Sequence, residues 1–377
     1  MHLSCSRCRA VYAVSADLWR CPACSGPLQW QGPDAFDRTM IDTSKPGFWR
    51  YWRSFPVAPE RAVTFHETMT PIVPIAIDGA RVDLKLDGQL PTGSFKDRGT
   101  SVLLTYLAGE GVSRVVEDSS GNAAASVAGY AARAGIDCEV YAPATASAGK
   151  LVQASAYGAT LIPVQGTRDD VSRAAELAAT KPGNAYATHN WHPFFVEGVK
   201  SWALETWEQL GFVAPDAVIA PAGSGSIILG AYHAFSLLKA GGEIDKLPRI
   251  YAAQARSCAP LVAAIDAGAS ETTPFDRQPS IAEGIMIANP VRGHELLEAL
   301  RASNGGAVAV EEDDIEMALV QLARTGIYVE PTSATAFGAW QKLVATGEIR
   351  PDERVVALMT GHGLKATAAI AKMLRAG

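Results

Sequence analysis

The sequence lacks a long hydrophobic run, because no uninterrupted apolar stretch approaches the about 20 residues that a membrane-spanning helix needs. The N-terminus, MHLSCSRCRAVY, has no hydrophobic segment of the kind that a secretory signal contains. Charge is sparse as well: charged residues make up 19% of the 377, and the formal net charge is -6. This balance argues against a nucleic acid or an anionic membrane as the main partner. These absences predict a globular, cytoplasmic chain.

Cysteine is scarce, with six residues in the chain, but four of them are organised. Cys5 and Cys8 form one Cys-x2-Cys pair, and Cys21 and Cys24 form another after a 12-residue gap. Four thiolates on two tight turns can surround a tetrahedral Zn2+, as in a zinc ribbon. Two disulfides or unpaired thiols are the alternatives, although a cytoplasmic composition disfavours disulfides. We expect a zinc-ribbon-like element over residues 1–32 with an accessory role, since it is too small and too weakly basic to be a nucleic-acid-binding module.

The remainder of the chain predicts an α/β fold. An irregular, aromatic-rich segment at 33–62 is expected to wrap over a domain surface. After it, short apolar runs such as RVVED, DCEVYAP and DAVIAPAG alternate with helical stretches such as AAASVAGYAARAG and IILGAYHAFSLLKA. This alternation predicts parallel sheets with helices on both faces, and ligands in such folds bind at the carboxyl ends of the strands.

Two strand-to-helix connections in this region are rich in small residues. SSGN (119–122) follows RVVED, and GSGS (223–226) follows DAVIAPA. Small residues there let backbone N–H groups approach an anion at a helix N-terminus, so a phosphate site is predicted, with an ordinary loop as the alternative. The spacing matches neither a P-loop nor a dinucleotide fingerprint.

A lysine in the stretch PTGSFKDRG requires an explanation. Lys96 opens an apolar helical run, with Thr92 or Ser94 as the expected helix cap. Desolvation would lower the pKa of a buried amine at this position and make it a nucleophile that forms a Schiff base with an aldehyde. Pyridoxal phosphate carries both an aldehyde and a phosphate. The lysine and the phosphate site together therefore predict this cofactor.

Five motifs of this chain, in their order, resemble the fold-type II pyridoxal-phosphate enzymes, the tryptophan synthase β-like group: PTGSFKDRG, SSGNAAAS, PAGSGS, VEPTSA and MTGHGLK. Within that group the chain is most similar to the threonine synthases, through GSFKDRG, TGHGLK, the run GFWRYWRSFP followed by HETMTPIVP, and the Cys-rich ribbon. The resemblance covers essentially the whole chain. It implies a homodimeric carbon-oxygen lyase that converts a small amino-acid substrate, O-phospho-L-homoserine, with water into L-threonine and phosphate.

The resemblance also implies roles for individual residues. Lys96 would hold the cofactor as a Schiff base and shuttle the substrate Cα proton, and Asn122 would hydrogen-bond the phenolic oxygen. Thr360 would face the pyridine nitrogen, and Phe95 would pack near the ring unless it is an ordinary core aromatic. The phosphate-binding amides would come from Gly223, Ser224, Gly225, Ser226 and Ile227.

Because the loops after several strands must converge on one cofactor, we expect two α/β domains with the cofactor between them. A smaller domain at 100–195 is expected to be inserted in a larger one formed by 63–99 and 196–377. Closure of the smaller domain over substrate would exclude water.

Two positions depart from the threonine synthase pattern. Phe195 and Leu90 stand where members of that family carry an arginine and an asparagine. Lys150, Arg168 or His192 are candidates to replace the lost phosphate contacts. The alternative is a related β-elimination or β-replacement enzyme of the serine/threonine dehydratase, diaminopropionate ammonia-lyase or cysteate synthase type.

Three further residues have two interpretations each. Glu283 resembles an acidic residue near the cofactor in dehydratases, but a solvated or ion-paired acid fits equally well. His189 and His192 follow a predicted strand, where a histidine either contacts substrate or caps and hydrogen-bonds neighbouring elements.

Overall fold

The computed structural model of the chain describes residues 1–77, 79–146 and 148–376. These residues divide into two compact units. Unit 1 consists of Met1–Asp34, Arg38–Thr68 and Lys96–Ser201, and unit 2 of Ala35–Asp37, Met69–Phe95 and Trp202–Gly377. Among the residues described, no helix is both long and apolar enough to cross a membrane.

The strands of the described residues are, in chain order, β1 (His2–Cys5), β2 (Val11–Ala13), β3 (Leu28–Trp30), β4 (Ile72–Ile77), β5 (Ala80–Leu86), β6 (Arg114–Glu117), β7 (Asp137–Pro143), β8 (Thr160–Val164), β9 (Asn184–Tyr186), β10 (Ala217–Pro221), β11 (Arg249–Ala255), β12 (Gly306–Val310) and β13 (Val355–Met359). The α-helices are α1 (Lys96–Gly109), α2 (Asn122–Ala134), α3 (Ala148–Ala156), α4 (Arg168–Ala179), α5 (Pro193–Val199), α6 (Ser201–Gln209), α7 (Ser226–Ala240), α8 (Pro260–Asp266), α9 (Gly293–Ala302), α10 (Glu312–Arg324), α11 (Pro331–Ala345) and α12 (Thr367–Ala376).

Unit 2 is built on a six-stranded sheet in the order β12-β11-β10-β13-β5-β4. Its strands are parallel, except that the edge strand β4 pairs antiparallel with β5. Every residue of β10 and β13 is buried, as their continuous apolar sequences AVIAP and VVALM require of inner parallel strands. The predicted α/β alternation with parallel sheets is confirmed here.

Unit 1 contains a parallel sheet in the order β8-β7-β6-β9. Strand β6 is therefore an inner strand, and Val116 pairs with Tyr186 of β9. Both residues belong to a buried apolar cluster that also includes Tyr141 and Val171. The β6–β9 pairing brings two connections that lie far apart in the sequence, the one after Glu117 and the one after Tyr186, to the same edge of this sheet.

The N-terminal cysteine-rich element is a small antiparallel sheet in the order β2-β1-β3. Two tryptophans fix it against the rest of unit 1. The ring of Trp19 lies 5.0 Å from that of Tyr186, edge to face, and the ring of Trp30 lies 6.4 Å from that of Phe194. Aromatic pairs at these separations contribute beyond simple burial.

The aromatic-rich segment after this element is ordered by burial of its rings. A 3-10 turn at Gly47–Ser54 buries Trp49 and Tyr51. The indole Nε1 of Trp49 donates to Ser101 Oγ at 3.0 Å, which ties this segment to α1 within unit 1. Trp52 is half-buried, and its indole donates to Asp42.

Candidate functional site

Lys96 is the first residue of α1, and the residues before it are fixed by the end of β13. The amide N–H of Phe95 donates to the carbonyl of Thr360 at 2.9 Å, and Ser94 forms an isolated antiparallel bridge with Gly361. Phe95 and Thr360 are both buried. These backbone contacts fix the segment before Lys96 within unit 2.

One of the two residues predicted to cap this helix, Ser94, does not cap it. Helix α1 begins two residues after Ser94, and the buried Ser94 hydroxyl has no hydrogen-bond partner among the described residues. A side chain that caps a helix accepts a hydrogen bond from a backbone N–H of the first turn, and Ser94 does not do so.

Within unit 1, the amine of Lys96 faces an aromatic ring. Its Nζ lies 5.5 Å from the ring centroid of Phe195 on α5, and Lys96 itself is half-buried. The ring can come this close because residue 99 is glycine: a Cβ there would lie 2.7 Å from the ring of Phe195. Phe195 is fully buried, so the residue in the place of the expected arginine is an apolar wall beside Lys96.

The SSGN connection has the strand-loop-helix layout that the sequence predicts. β6 ends at Glu117, and α2 begins at Asn122 after the N-cap residue Gly121. No side chain caps this helix, and the N–H of Gly121 donates to Ser119 Oγ at 3.2 Å. Asn122 is half-buried at the start of the helix.

In unit 2, the GSGS connection has the geometry of an anion-binding loop. Gly225 caps α7 with a φ of 83°, and a Cβ at this position would lie 2.3 Å from the side chain of Leu296. The Ser226 hydroxyl at the first position of α7 is buried and has no partner among the described residues. Since a helix N-terminus also presents unsatisfied N–H groups, this loop fits the phosphate of pyridoxal phosphate.

Thr360 at the end of β13 belongs to a small hydroxyl cluster in unit 2. Its Oγ1 lies 3.0 Å from Ser333 Oγ, and Ser333 Oγ accepts from the N–H of Gly361 at 2.9 Å. Glu330 lies nearby, with its Oε1 3.5 Å from Thr360 Oγ1. Glu330 and Ser333 both lie in the motif VEPTSA, which indicates the family but predicts no role for either residue.

Two of the three residues that could replace the lost phosphate contacts, Arg168 and His192, have other partners. Arg168 Nη2 donates to Asp118 Oδ2 at 2.7 Å. His192 caps α5, with its Nδ1 accepting from the N–H of Phe194, as one interpretation of this histidine predicted. Leu90 is buried. The side chain of Lys150 lies outside the part of the chain that the structure describes.

The two remaining residues with alternative interpretations differ in their surroundings. Glu283 opens a 3-10 turn at Glu283–Ile285 and is exposed. His189 is mostly buried and contacts Glu117 Oε1 through its Nδ1 at 3.0 Å. Sequence reasoning missed Glu117, and the signal that could have found it is its place at the carboxyl end of a parallel strand.

The four organised cysteines come together in unit 1. Their sulfur atoms all lie within 4.8 Å of one another, and the closest pairs are Cys5–Cys24 at 3.4 Å and Cys8–Cys21 at 3.6 Å. These separations are far longer than a disulfide bond of about 2.05 Å, and all four thiols are free. Four convergent thiols are a suitable donor set for tetrahedral Zn2+.

Comparison with known proteins gives a consistent assignment. The family model described as "Pyridoxal-phosphate dependent enzyme" matches residues 63–361. The chain is 35% identical to the threonine synthase of Methanosarcina acetivorans over 374 residues, which cover 97% of this chain and 92% of the relative. It is 36% identical to the threonine synthase of Methanocaldococcus jannaschii over 375 residues, covering 96% and 92%.

Solved structures of similar fold include a fungal L-serine ammonia-lyase from Rhizomucor miehei, with a TM-score of 0.71 and 20% identity over 81% of this chain and 97% of that one. The processed form of threonine deaminase isoform 2 from Solanum lycopersicum gives a TM-score of 0.70 with 20% identity, over 90% and 95%. At these identities the likeness concerns the fold alone.

Proposed function

The chain belongs to the pyridoxal-phosphate dependent enzyme family, and from this membership we propose that it is a threonine synthase. The proposed reaction converts O-phospho-L-homoserine and water into L-threonine and phosphate. The observation that carries the proposal is the 35–36% identity to two threonine synthases over almost the full length of both chains. Pyridoxal phosphate is the cofactor.

We propose that the cofactor is held by the residues that the sequence motifs indicate. Lys96 supplies the primary amine, and the amides of 223–227 at the N-terminus of α7 receive the phosphate. The side chain of Asn122 hydrogen-bonds the phenolic oxygen, and Phe95 packs near the ring. The hydroxyl of Thr360, held by Ser333, faces the pyridine nitrogen. A neutral hydroxyl at that nitrogen suits elimination and replacement chemistry better than transamination.

The chemistry of the chain's own residues follows from this arrangement. Bound pyridoxal phosphate supplies an electron sink for negative charge at the substrate Cα. The Lys96 amine takes the Cα proton and can return it to the product, since it is the basic group at the start of α1. The buried ring of Phe195 excludes water on the side of Lys96 that it covers.

One observation favours a second candidate function. Phe195 and Leu90 are buried and apolar where the threonine synthase pattern has an arginine and an asparagine. Losing a bidentate charge-assisted contact costs roughly 1.5–3 kcal/mol, or about ten- to hundredfold in binding. A β-elimination or β-replacement enzyme acting on serine, threonine or diaminopropionate is therefore the alternative.

We further propose that the four clustered cysteines hold a structural Zn2+, that the enzyme is a homodimer and that it is cytoplasmic. The convergence of the four sulfur atoms within 4.8 Å supports the metal. Metal analysis of the purified protein tests it, and sedimentation at micromolar concentration tests the dimer, which a monomer would contradict.

A substrate panel separates the two candidate functions. Phosphate and threonine formed from phosphohomoserine support the threonine synthase. Keto acid and ammonia formed from serine, threonine or diaminopropionate support the alternative. An unchanged cofactor absorbance in millimolar phosphohomoserine would eliminate the threonine synthase assignment.

A further inference from the structure

A buried acid-histidine pair lies in unit 1 outside the residues proposed to hold the cofactor. His189 Nδ1 and Glu117 Oε1 are 3.0 Å apart. The Glu117 side chain has no exposed surface, whereas 11% of the His189 side chain is exposed. Since Nδ1 faces Glu117, Nε2 is the ring nitrogen left to contact another group.

The imidazole of this pair and the amine of Lys96 border the same aromatic ring. The imidazole of His189 lies 6.0 Å from the ring of Phe195, edge to face. Lys96 Nζ lies 5.5 Å from the same ring. His189 and Lys96 thus both border Phe195, the residue that stands where the family pattern has a phosphate-binding arginine.

The topology of the sheet explains why a ligand contact is expected here. Glu117 ends β6, and Thr188 and His189 follow the neighbouring parallel strand β9. The carboxyl ends of parallel strands are where ligands bind in such folds. The hydroxyl of Thr188 is fully buried and has no hydrogen-bond partner among the described residues, and the same is true of Glu117 Oε2. Buried polar atoms without partners in a native fold call for a ligand or an ordered water.

The protonation of the pair makes Nε2 a donor. Burial, followed by the neighbouring Asp118, raises the pKa of Glu117 well above its ordinary value. Burial, followed by the positive charges of Lys96 and Arg168, lowers the pKa of His189 well below its own. Both directions favour a neutral pair with one proton in the Glu117–Nδ1 contact. With that proton at Nδ1 or on Glu117, the second imidazole hydrogen is at Nε2.

We propose that His189, oriented by Glu117, is a specificity-determining residue that donates a hydrogen bond from Nε2 to a phosphoryl oxygen of the substrate. The ligand class is a phosphate monoester on a short amino-acid side chain. This inference rests on the proposed function, since it names the group that recognises the phosphate which that reaction releases. The fully buried hydroxyl of Thr188, the preceding residue in the chain, is a further donor.

Two substitutions at the same position separate recognition from structure. His189→Asn keeps an amide donor at the position of Nδ1, where it can still contact Glu117, but it loses the donor at Nε2. His189→Gln places an amide donor at the position of Nε2. We expect the Kd of inorganic phosphate for the cofactor-loaded protein, measured by calorimetry, to rise about ten- to hundredfold in His189→Asn. In His189→Gln we expect it to stay within about threefold of wild type. KM for phosphohomoserine should follow the same pattern.

The outcomes distinguish this inference from the function on which it rests. If the wild-type enzyme forms no threonine from phosphohomoserine, the proposed function fails, whatever the variants bind. If it forms threonine, and His189→Asn binds inorganic phosphate and phosphohomoserine as tightly as wild type, the role of His189 is overturned. Cofactor absorbance checks that each variant is folded. Should His189→Asn not retain the cofactor, a tenfold loss of phosphate affinity in His189→Gln would overturn the inference, and wild-type affinity would support it.

Discussion

Two buried groups of polar side chains, one in each unit, differ in whether their hydrogen bonds are complete. In unit 2, Lys85 and Glu205 form a fully buried ion pair. The ammonium of Lys85 also donates to the carbonyl of Thr70 at 2.8 Å and to Gln209 Oε1 at 2.7 Å, so all three of its donors are used. Glu205 Oε1 accepts in turn from the N–H and the hydroxyl of Thr70.

In unit 1, the pair of Glu117 and His189 is fully buried at Glu117 and mostly buried at His189, but its hydrogen bonds are incomplete. Only one oxygen of Glu117 has a hydrogen-bond partner among the described residues, and the nearby hydroxyl of Thr188 has none. The difference shows that burial of charge alone does not identify a functional site. A network whose hydrogen bonds are complete stabilises the contact between elements. A network with unpartnered polar atoms at the end of a parallel strand indicates a ligand-binding site.

The largest expected effect is on catalysis and comes from Lys96 in unit 1. Lys96→Ala should lower kcat by about a thousandfold or more, since it removes both the cofactor's anchor and the base. Borohydride should no longer fix the cofactor to the chain, which mass spectrometry of the tryptic peptide checks. The exposed Lys239 on α7 provides the control: Lys239→Ala should retain activity and the borohydride adduct. Wild-type turnover by Lys96→Ala would contradict the role of Lys96 as anchor and base.

Lys85→Met should act on stability instead. It leaves the Glu205 carboxylate buried without the ammonium charge, which costs about 3–5 kcal/mol of unfolding free energy. Denaturant unfolding measures the loss. The protein that remains folded should bind pyridoxal phosphate and turn over phosphohomoserine normally. A variant as stable as wild type would show that the complete network is not what stabilises unit 2.

The pH dependence of stability tests whether Glu117 of the incomplete pair is protonated in the folded protein. The pKa of Glu117 is raised in the folded protein, so above the ordinary carboxyl pKa near 4.5 the unfolded chain is ionised while the folded one keeps its proton. This proton alone lowers the stability of wild type as pH rises from that value towards the folded pKa, by up to about 1.4 kcal/mol per pH unit. The lowered pKa of His189 acts in the opposite direction below the ordinary histidine pKa of 6.5, so the contribution of Glu117 is measured as the difference between wild type and Glu117→Gln. Glu117→Gln lacks this titrating group, so its unfolding free energy should increase relative to that of wild type as pH rises over that range. The charged and titratable groups around Glu117 are Lys96, Asp118, Cys138, Arg168, Tyr186 and His189.

Melting temperatures of wild type and Glu117→Gln at pH 5, 6 and 7 provide the measurement. Parallel curves would mean that Glu117 is ionised in the folded protein across this range.

The smallest effect concerns single hydroxyls. Ser226→Ala removes a buried hydroxyl without a partner among the described residues and should change the unfolding free energy by no more than about 0.5 kcal/mol. The Kd of pyridoxal phosphate, titrated into the apoprotein, should nevertheless rise about tenfold. Thr70→Ala, its counterpart in the complete network, should lose about 1–3 kcal/mol of stability with no change in cofactor affinity. If the two variants behave alike, satisfied and unsatisfied hydroxyls do not differ in role.

Local patterns in the sequence predict much of this fold. The alternation of apolar runs and Ala-rich stretches predicts β6, α2, β10 and α7, because buried strands and buried helices differ in length and in their content of β-branched residues. The Cys-x2-Cys spacing predicts the four convergent thiols. The antiparallel pair β4–β5 was not predicted, although PIVPIAIDGARVDLKL contains two apolar runs around Asp-Gly.

The pairing of Glu117 with His189 could not be predicted, because it depends on strand order. The two residues are 72 positions apart and meet only because β9 lies beside β6, across the chain's passage through β7 and β8. The Ser94 cap failed for a related reason. The segment before Lys96 is fixed by backbone contacts with Thr360 and Gly361, far away in the sequence, so a local signal for capping was misleading.

The central claim, that the chain is a threonine synthase, is tested most directly by product analysis in 18O-labelled water. Elimination breaks the carbon-oxygen bond of phosphohomoserine, so released phosphate keeps its original four oxygens, and the water oxygen enters at Cβ. Wild-type enzyme should therefore form threonine that carries 18O, together with an equal amount of unlabelled phosphate. Labelled phosphate with homoserine, or no threonine at all, would contradict the account.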